Sequence, residues 1–207
     1  MTAAERAYAY MKERIIRGEL VGGARLSEGQ ICAELELSRT PVHEAFLRLE
    51  AERLLTLSSR QGAVVTAIPP GEARDVLEMR GALERTAAAR VVADRVDPAR
   101  ITAALRTPLG YQREALDCDD LNAYVVADCD FHGAVISLSG NRIAAHYYDL
   151  LRDRQLRLFH QVLTVGGLKA DEAFDEHEDL ARLLAAHDGA GYLAVLDRHL
   201  ARHQGVL

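Results

Sequence analysis

The stretch ELSRTPVHEAFLRLE, Glu36 to Glu50, decides how the first third of the chain reads. Val42, Ala45, Phe46 and Leu49 recur at helical spacing, so a helix running about Arg39 to Glu52 turns one apolar face inward. Ser38 stands where an N-cap belongs, and Pro41 falls in the first turn, where its missing N–H is no loss. Arg39 and Thr40 crowd onto the positive end of the helix dipole, an end that attracts phosphate. The tetrapeptide alone reads equally as a well-capped surface helix or as a DNA contact. Its neighbours tip the balance.

Upstream, a helix over 4–18 carries Tyr8, Met11 and Ile15 on one stripe, and a second over 28–36, begun by Ser27, turns Ile31 and Leu35 inward. Only Leu37 and Ser38 separate it from the third. Downstream, LLTLSSRQGAVVTAI, Leu54 to Ile68, is rich in strand formers around a polar SSRQG turn, which predicts a hairpin. Three helices and a hairpin make a winged helix-turn-helix, whose second motif helix enters the major groove. Arg39 and Thr40 then sit where DNA would be.

IPPG, Ile68 to Gly71, continues neither strand nor helix, so a DNA-binding domain over 1–68 and a linker over 69–71 precede a second domain over 72–207. That domain reads as all helical, with helices near 72–94, 98–117, 119–138, 142–164, 171–187 and 189–204. The fold class expected is therefore mainly α: an N-terminal winged helix-turn-helix followed by an all-α bundle.

The 207 residues are 49% hydrophobic and 27% charged, enough for one large or two modest cores. No run approaches the roughly 18 apolar residues of a membrane span, and the first helix carries both charge signs, unlike a signal peptide. Cys32, Cys118 and Cys129 are odd in number and lack CxxC spacing, which predicts reduced thiols, a cytoplasmic location and no bridges. The net charge of -6 does not exclude nucleic acid, because the charge is unevenly spread. Lys/Arg and Asp/Glu balance over residues 1–68, and the whole deficit falls in the second domain.

In that second domain several polar residues fall on stripes that should be apolar. Asp128 and His132, one turn apart, interrupt the stripe of Leu121, Tyr124, Val125, Val135 and Leu138. His177 lies on the stripe of Phe174, Leu180 and Leu184, and His199 on that of Tyr192, Val195 and Leu196. One Asp and three His suit a first-row divalent metal such as zinc, nickel or manganese. They also suit ordinary hydrogen-bonded core residues, and spacing alone leaves both readings open, with His203 a competitor of His199. His146, His160 and His187 are assigned to the surface or to ordinary packing. Arg80 shares the inward stripe of Val76, Leu77, Leu83 and Ala87; it either grips a carboxylate ligand or pairs internally with Glu84.

These residues resemble a known family. IIRGELVGGARLSEGQICAELELSRTPVHEAFLRLEAERLL and the glycine of RQGAVV are similar to the winged helix-turn-helix of GntR-type bacterial transcription regulators. EMRGALERTAAARVV, DCDFHGAVISLSGN, EHEDL and the histidine of DRHL resemble the FCD effector domain of the FadR group, and the helix count resembles the shorter VanR-like subgroup. The resemblance implies a homodimer on a palindromic operator. It implies a divalent metal held by Asp128, His132, His177 and His199, and a small carboxylic acid held by Arg80. At two positions that the resemblance associates with DNA contact, where the family commonly has arginine, this chain has Gly29 and His43, which implies a weaker phosphate grip or a different target sequence. Ser38, Arg39 and Thr40 would then carry more of the recognition, with Gln61 and Gly62 at the wing tip. The function expected is a metabolite-responsive transcription regulator, a repressor, whose operator binding is controlled by a small carboxylic acid bound beside the metal. The alternatives are a metal-dependent hydrolase and an interaction module whose DNA grip has weakened.

Overall fold

The structure, a computed structural model, describes residues 1–58, 62–163 and 169–204, the positions 161–163 and 203–204 by backbone alone. The wing-tip residue Gln61 and the side chain of His203 lie outside the described residues. The chain divides into two compact units, Met1–Pro70 and Gly71–Leu207.

In the first unit α1 (Ala3–Ile16) begins with a capping box, Thr2 and Glu5 each accepting from the other's backbone N–H. Helices α2 (Glu28–Leu35) and α3 (Arg39–Ala51) follow. The turn between them bends through Glu36, a non-glycine residue held in the left-handed region at φ 55°. Strands β2 (Leu55–Ser58) and β3 (Gly62–Val65) form the expected hairpin. A third strand, β1 (Arg25–Leu26), pairs antiparallel with β3 and completes a sheet of order β1-β3-β2. Two residues are too short for any alternation, so β1 carries no signal of its own and arises from tertiary pairing.

The core of this unit joins Ala7, Met11 and Ile15 of α1 to Ile31, Val42, Phe46 and Leu49, and to Leu55 and Val65 of the sheet. Tyr8, expected on the buried stripe of α1, is only half buried; Ala7 takes its place, and the Tyr8 hydroxyl donates to Glu52.

The second unit holds α4 (Glu72–Ala93), α5 (Pro98–Asp117), α6 (Leu121–Leu138), α7 (Arg142–Leu163), α8 (Ala170–Ala185) and α9 (Gly189–Gln204). Asp97 caps α5 through Ala99, and Asp120 caps α6 through Ala123. Helix α6 packs on α4, α5, α7 and α8, so its polar residues are set in the middle of the bundle. Helices α8 and α9 pair with each other and close over α5 and α4 respectively. Cys32, Cys118 and Cys129 are free thiols, and no helix among the described residues is long and apolar enough to cross a membrane.

Candidate metal and effector centre

Asp128, His132, His177 and His199 come together in the interior of the bundle, each with a potential ligand atom within 4.8 Å of all the others. Helix α6 supplies the first two, one turn apart, while α8 and α9 supply one histidine each. All three imidazoles are fully buried and Asp128 is 3% exposed.

The outer nitrogen of each ring is turned away from the cluster. Gln112 on α5 donates its amide to the Ala127 carbonyl at 3.2 Å, which turns its own oxygen to His177 Nδ1 at 2.7 Å. His177 Nδ1 must then carry the proton. His199 Nδ1 faces Glu176 Oε2 at 3.1 Å, and Arg198 and Arg202 hold the other oxygen of that carboxylate. His132 Nδ1 lies 2.9 Å from Glu84 Oε2, close enough for an ion pair but not aligned as a hydrogen bond. A proton on Nδ1 of His177 and of His199 turns their Nε2 atoms toward one another, the arrangement in which an orienting carboxylate or amide prepares a histidine for a metal.

The inner atoms fit a cation. His177 Nε2 stands 3.4 Å from His199 Nε2 and 3.4 Å from Asp128 Oδ1, and His132 Nε2 is 3.9 Å from Asp128 Oδ2. Two facing lone pairs repel unless a proton or an ion lies between them. Donors about 2.0–2.1 Å from a zinc ion at tetrahedral angles stand roughly 3.4 Å apart. Among the described residues neither oxygen of Asp128 and neither nitrogen of His132 has a hydrogen-bond partner, although each is buried. Burial pushes Asp128 above the usual carboxylate range; His132 and Arg80 pull it back without restoring it. Glu84 shows the contrast, since burial there is outweighed by His132, Arg80 and the Tyr192 hydroxyl, and its carboxyl is held below its ordinary value. One buried carboxylate is served by its neighbours and the other is not.

Arg80 on α4 is fully buried beside this cluster, with Nη1 at 3.9 Å from Asp128 Oδ2. None of its three nitrogens has a hydrogen-bond partner among the described residues. The internal pairing with Glu84 is not what forms: Glu84 accepts from Tyr192 at 2.5 Å and faces His132. Glu84, Gln112, Glu176 and Tyr192 are the orienting residues that sequence reading missed. Gln112 was detectable by the same rule that found the histidines, as a lone polar residue among Ile101, Leu105, Pro108 and Ala115. Glu176 carried no such signal because it adjoins a ligand rather than continuing a stripe.

The other histidines behave as assigned. His146 is exposed, His160 Nδ1 meets Asn122 Oδ1 at 2.9 Å, and His187 Nε2 meets the Val96 carbonyl at 2.8 Å.

On the first unit, Ser38, Arg39, Thr40 and His43 are all exposed on the outward side of α3. Ser38 occupies the N-cap position with extended backbone, but its side chain makes no capping bond, a correction to the expected cap. Its hydroxyl is thus not committed to the helix. His43 Nδ1 is bound to Glu28 Oε1 of α2 at 2.6 Å, a contact no spacing rule within one helix reveals. Gly62 has φ +75°, and a Cβ there would come within 2.6 Å of the Leu26 carbonyl oxygen, so its backbone allows β1 to approach the wing.

A winged helix-turn-helix joined to an all-helical unit with an internal polar centre defines the class: a DNA-binding transcription regulator with an effector domain. The chain belongs to the GntR family of bacterial regulatory proteins, whose model matches residues 3–65, and its second unit is an FCD domain over residues 75–202. An HTH-type transcriptional regulator from the ttuE-ttuC' intergenic region of Agrobacterium vitis is 31% identical over 63% of this chain and 77% of its own length. The gluconate operon transcriptional repressor of Bacillus subtilis is 26% identical over 86% of this chain and 70% of its own. Among solved structures, E. coli McbR/YncC shares the fold at a TM-score of 0.80 with 22% identity, covering 100% of this chain and 97% of that one. The matching GntR family and the two sequence relatives are transcription regulators rather than enzymes, which removes the hydrolase alternative.

Proposed function

We propose that this regulator senses a small carboxylic acid, bound by Arg80 beside a divalent metal held by Asp128, His132, His177 and His199, and that the acid controls operator binding by a homodimer in the cytoplasm. The observation that carries the reading is the pairing of two unmet needs in one buried place. Three imidazoles, two with Nδ1 hydrogen-bonded and the third with Nδ1 beside Glu84, surround an unserved carboxylate, and an unserved guanidinium adjoins them. A cation answers the first need and an organic anion the second. When bound, the metal supplies a positive charge and an open coordination position to an anionic ligand. The domains proposed are 1–68, the linker 69–71 and 72–207. Ser38, Arg39, Thr40, His43, Gln61 and Gly62 form the DNA-facing set.

For the acid to regulate, it must bind two arrangements of the protein with different affinity. Elemental analysis of untagged protein purified without chelator tests the metal, with near one equivalent expected. Wild-type metal content and thermal stability in both His132→Ala and His177→Ala would refute the site. Arg80→Ala is expected to keep the metal and lose the thermal shift produced by an acid. Retarded migration of the chain's own upstream DNA at low salt, lost in Arg39→Ala, tests the DNA reading; no retardation at any salt would favour the interaction module.

A further inference from the structure

Gln155 on α7 is fully buried, and neither its amide nitrogen nor its carbonyl oxygen has a hydrogen-bond partner among the described residues. A primary amide left in this state is costly, because burial removes the water that would otherwise satisfy both ends. Helix α7 is held in register on both sides of it. The Tyr148 hydroxyl donates to the Cys129 carbonyl of α6 at 2.6 Å, and His160 meets Asn122 at the other end of the same helix pair. Arg154, the residue before Gln155, pairs with Glu72 in the first turn of α4 at 2.5 Å, while Tyr148 packs with Ala87 further along α4.

Those contacts bracket Gln155 between Tyr148 and His160 on α7, beside the span of α6 from Asn122 to Cys129 and the span of α4 from Glu72 to Ala87. Asp128 belongs to the first span and Arg80 to the second. Gln155 lies seven residues, two helical turns, from Tyr148 and so shares its face. Because the Tyr148 hydroxyl donates to the carbonyl of Cys129, the residue after Asp128, this face of α7 lies against the turn of α6 that carries the candidate ligand. Three helices packed on one another, α4, α6 and α7, thus carry a guanidinium, a carboxylate and an amide, all buried and, among the described residues, none with a hydrogen-bond partner.

We propose that Gln155 is a specificity-determining residue of the effector site, and that the effector is an aliphatic hydroxy acid whose carboxylate meets Arg80 while a hydroxyl meets Gln155. The inference rests on the acid-sensing reading above. Arg80 offers only donors, so it takes the carboxylate. Gln155 offers a donor and an acceptor together, and a hydroxyl, which both accepts and donates, answers both with one atom. A plain fatty acid would leave the amide unsatisfied. Sites built to hydrogen-bond a hydroxyl reject the analogue lacking it strongly for that reason.

The test uses full-length, metal-loaded protein and pairs of acids that differ by hydroxyl groups: lactate with propionate, 3-hydroxybutyrate with butyrate, gluconate with hexanoate. Calorimetric titration is expected to give at least one hydroxy acid an affinity about tenfold or more above its partner. In Gln155→Met, an apolar side chain of similar volume, that gap closes while metal content and binding of the plain acid persist. Should Gln155→Met fail to fold, Gln155→Asn, which withdraws the amide by one methylene, is expected to shrink the same gap. A gap that survives in the substituted protein overturns the assignment, as does a wild type that binds plain and hydroxylated acids alike. Acids that bind equally well to Arg80→Ala, or that do not bind wild type at all, would instead refute the acid-sensing reading beneath it.

Discussion

Single residues of the buried centre have consequences of opposite sign depending on whether a cation is present. In chelated protein the raised value of Asp128 means folding disfavours its ionised form. Its stability is full below the ordinary value of 3.8 and declines as pH rises through the folded value. Asp128→Asn should abolish that decline in thermal melts with chelator, yet lower the melting temperature of metal-loaded protein, where a ligand has been lost. Gln112→Leu removes the acceptor that orients His177, and second-layer losses of this type reduce metal affinity about 10–100-fold. Competition against a chromophoric chelator reads that change directly. On the DNA side, the Glu28 carboxylate that holds His43 stands where phosphate is expected to approach. Glu28→Gln should therefore raise operator affinity, by about 0.3–1 kcal/mol at low salt, measured by fluorescence anisotropy.

At the scale of elements, much was legible and the reasons for the rest are specific. Helix α5 was bounded at 98 and 117 as found, because Asp97-Pro98 is a strong start and Ile101, Leu105 and Ala115 keep helical spacing on either side of Pro108 and Gln112. Helix α6 starts two residues later than read, since Asp120 rather than an earlier residue supplies the cap. Strand β1 was illegible because its partner is 39 residues away at Val64, a pairing that no local pattern encodes. The four candidate ligands stood out as polar breaks in apolar stripes, whereas Glu176 and the Glu28–His43 contact depend on which helices meet. Arg39→Ala on α3 should weaken operator binding and reduce the slope of log K against log salt by about 0.9, as loss of one phosphate contact requires. Glu52, which ties α3 to Tyr8 and Lys12 of α1, gives this helix pair a pH dependence. Burial would raise its carboxyl, but Tyr8 and Lys12 outweigh burial and hold it below its ordinary 4.5. Its contribution is present above that value and lost as pH falls through the lower folded one, and Glu52→Gln should flatten this acid limb of the stability curve.

For the molecule as a whole, the separation into Met1–Pro70 and Gly71–Leu207 puts every candidate ligand in one unit and every candidate DNA contact in the other. Metal at about a thousandfold over its dissociation constant adds roughly 4 kcal/mol to the unit that binds it. Calorimetry should show that gain in the melting of the helical unit and its loss on chelation. The origin of the four ligands carries this further: α6, α8 and α9 each contribute, and α4 and α5 orient them through Glu84 and Gln112. An ion at that junction would act as a cross-link between segments distant in the chain, so that none of the three ligand-bearing helices could fray alone without surrendering it. Amide hydrogens of α6, α8 and α9 should consequently lose protection as a group when the ion is stripped, and isotope exchange confined to one helix would show that the knot is not shared.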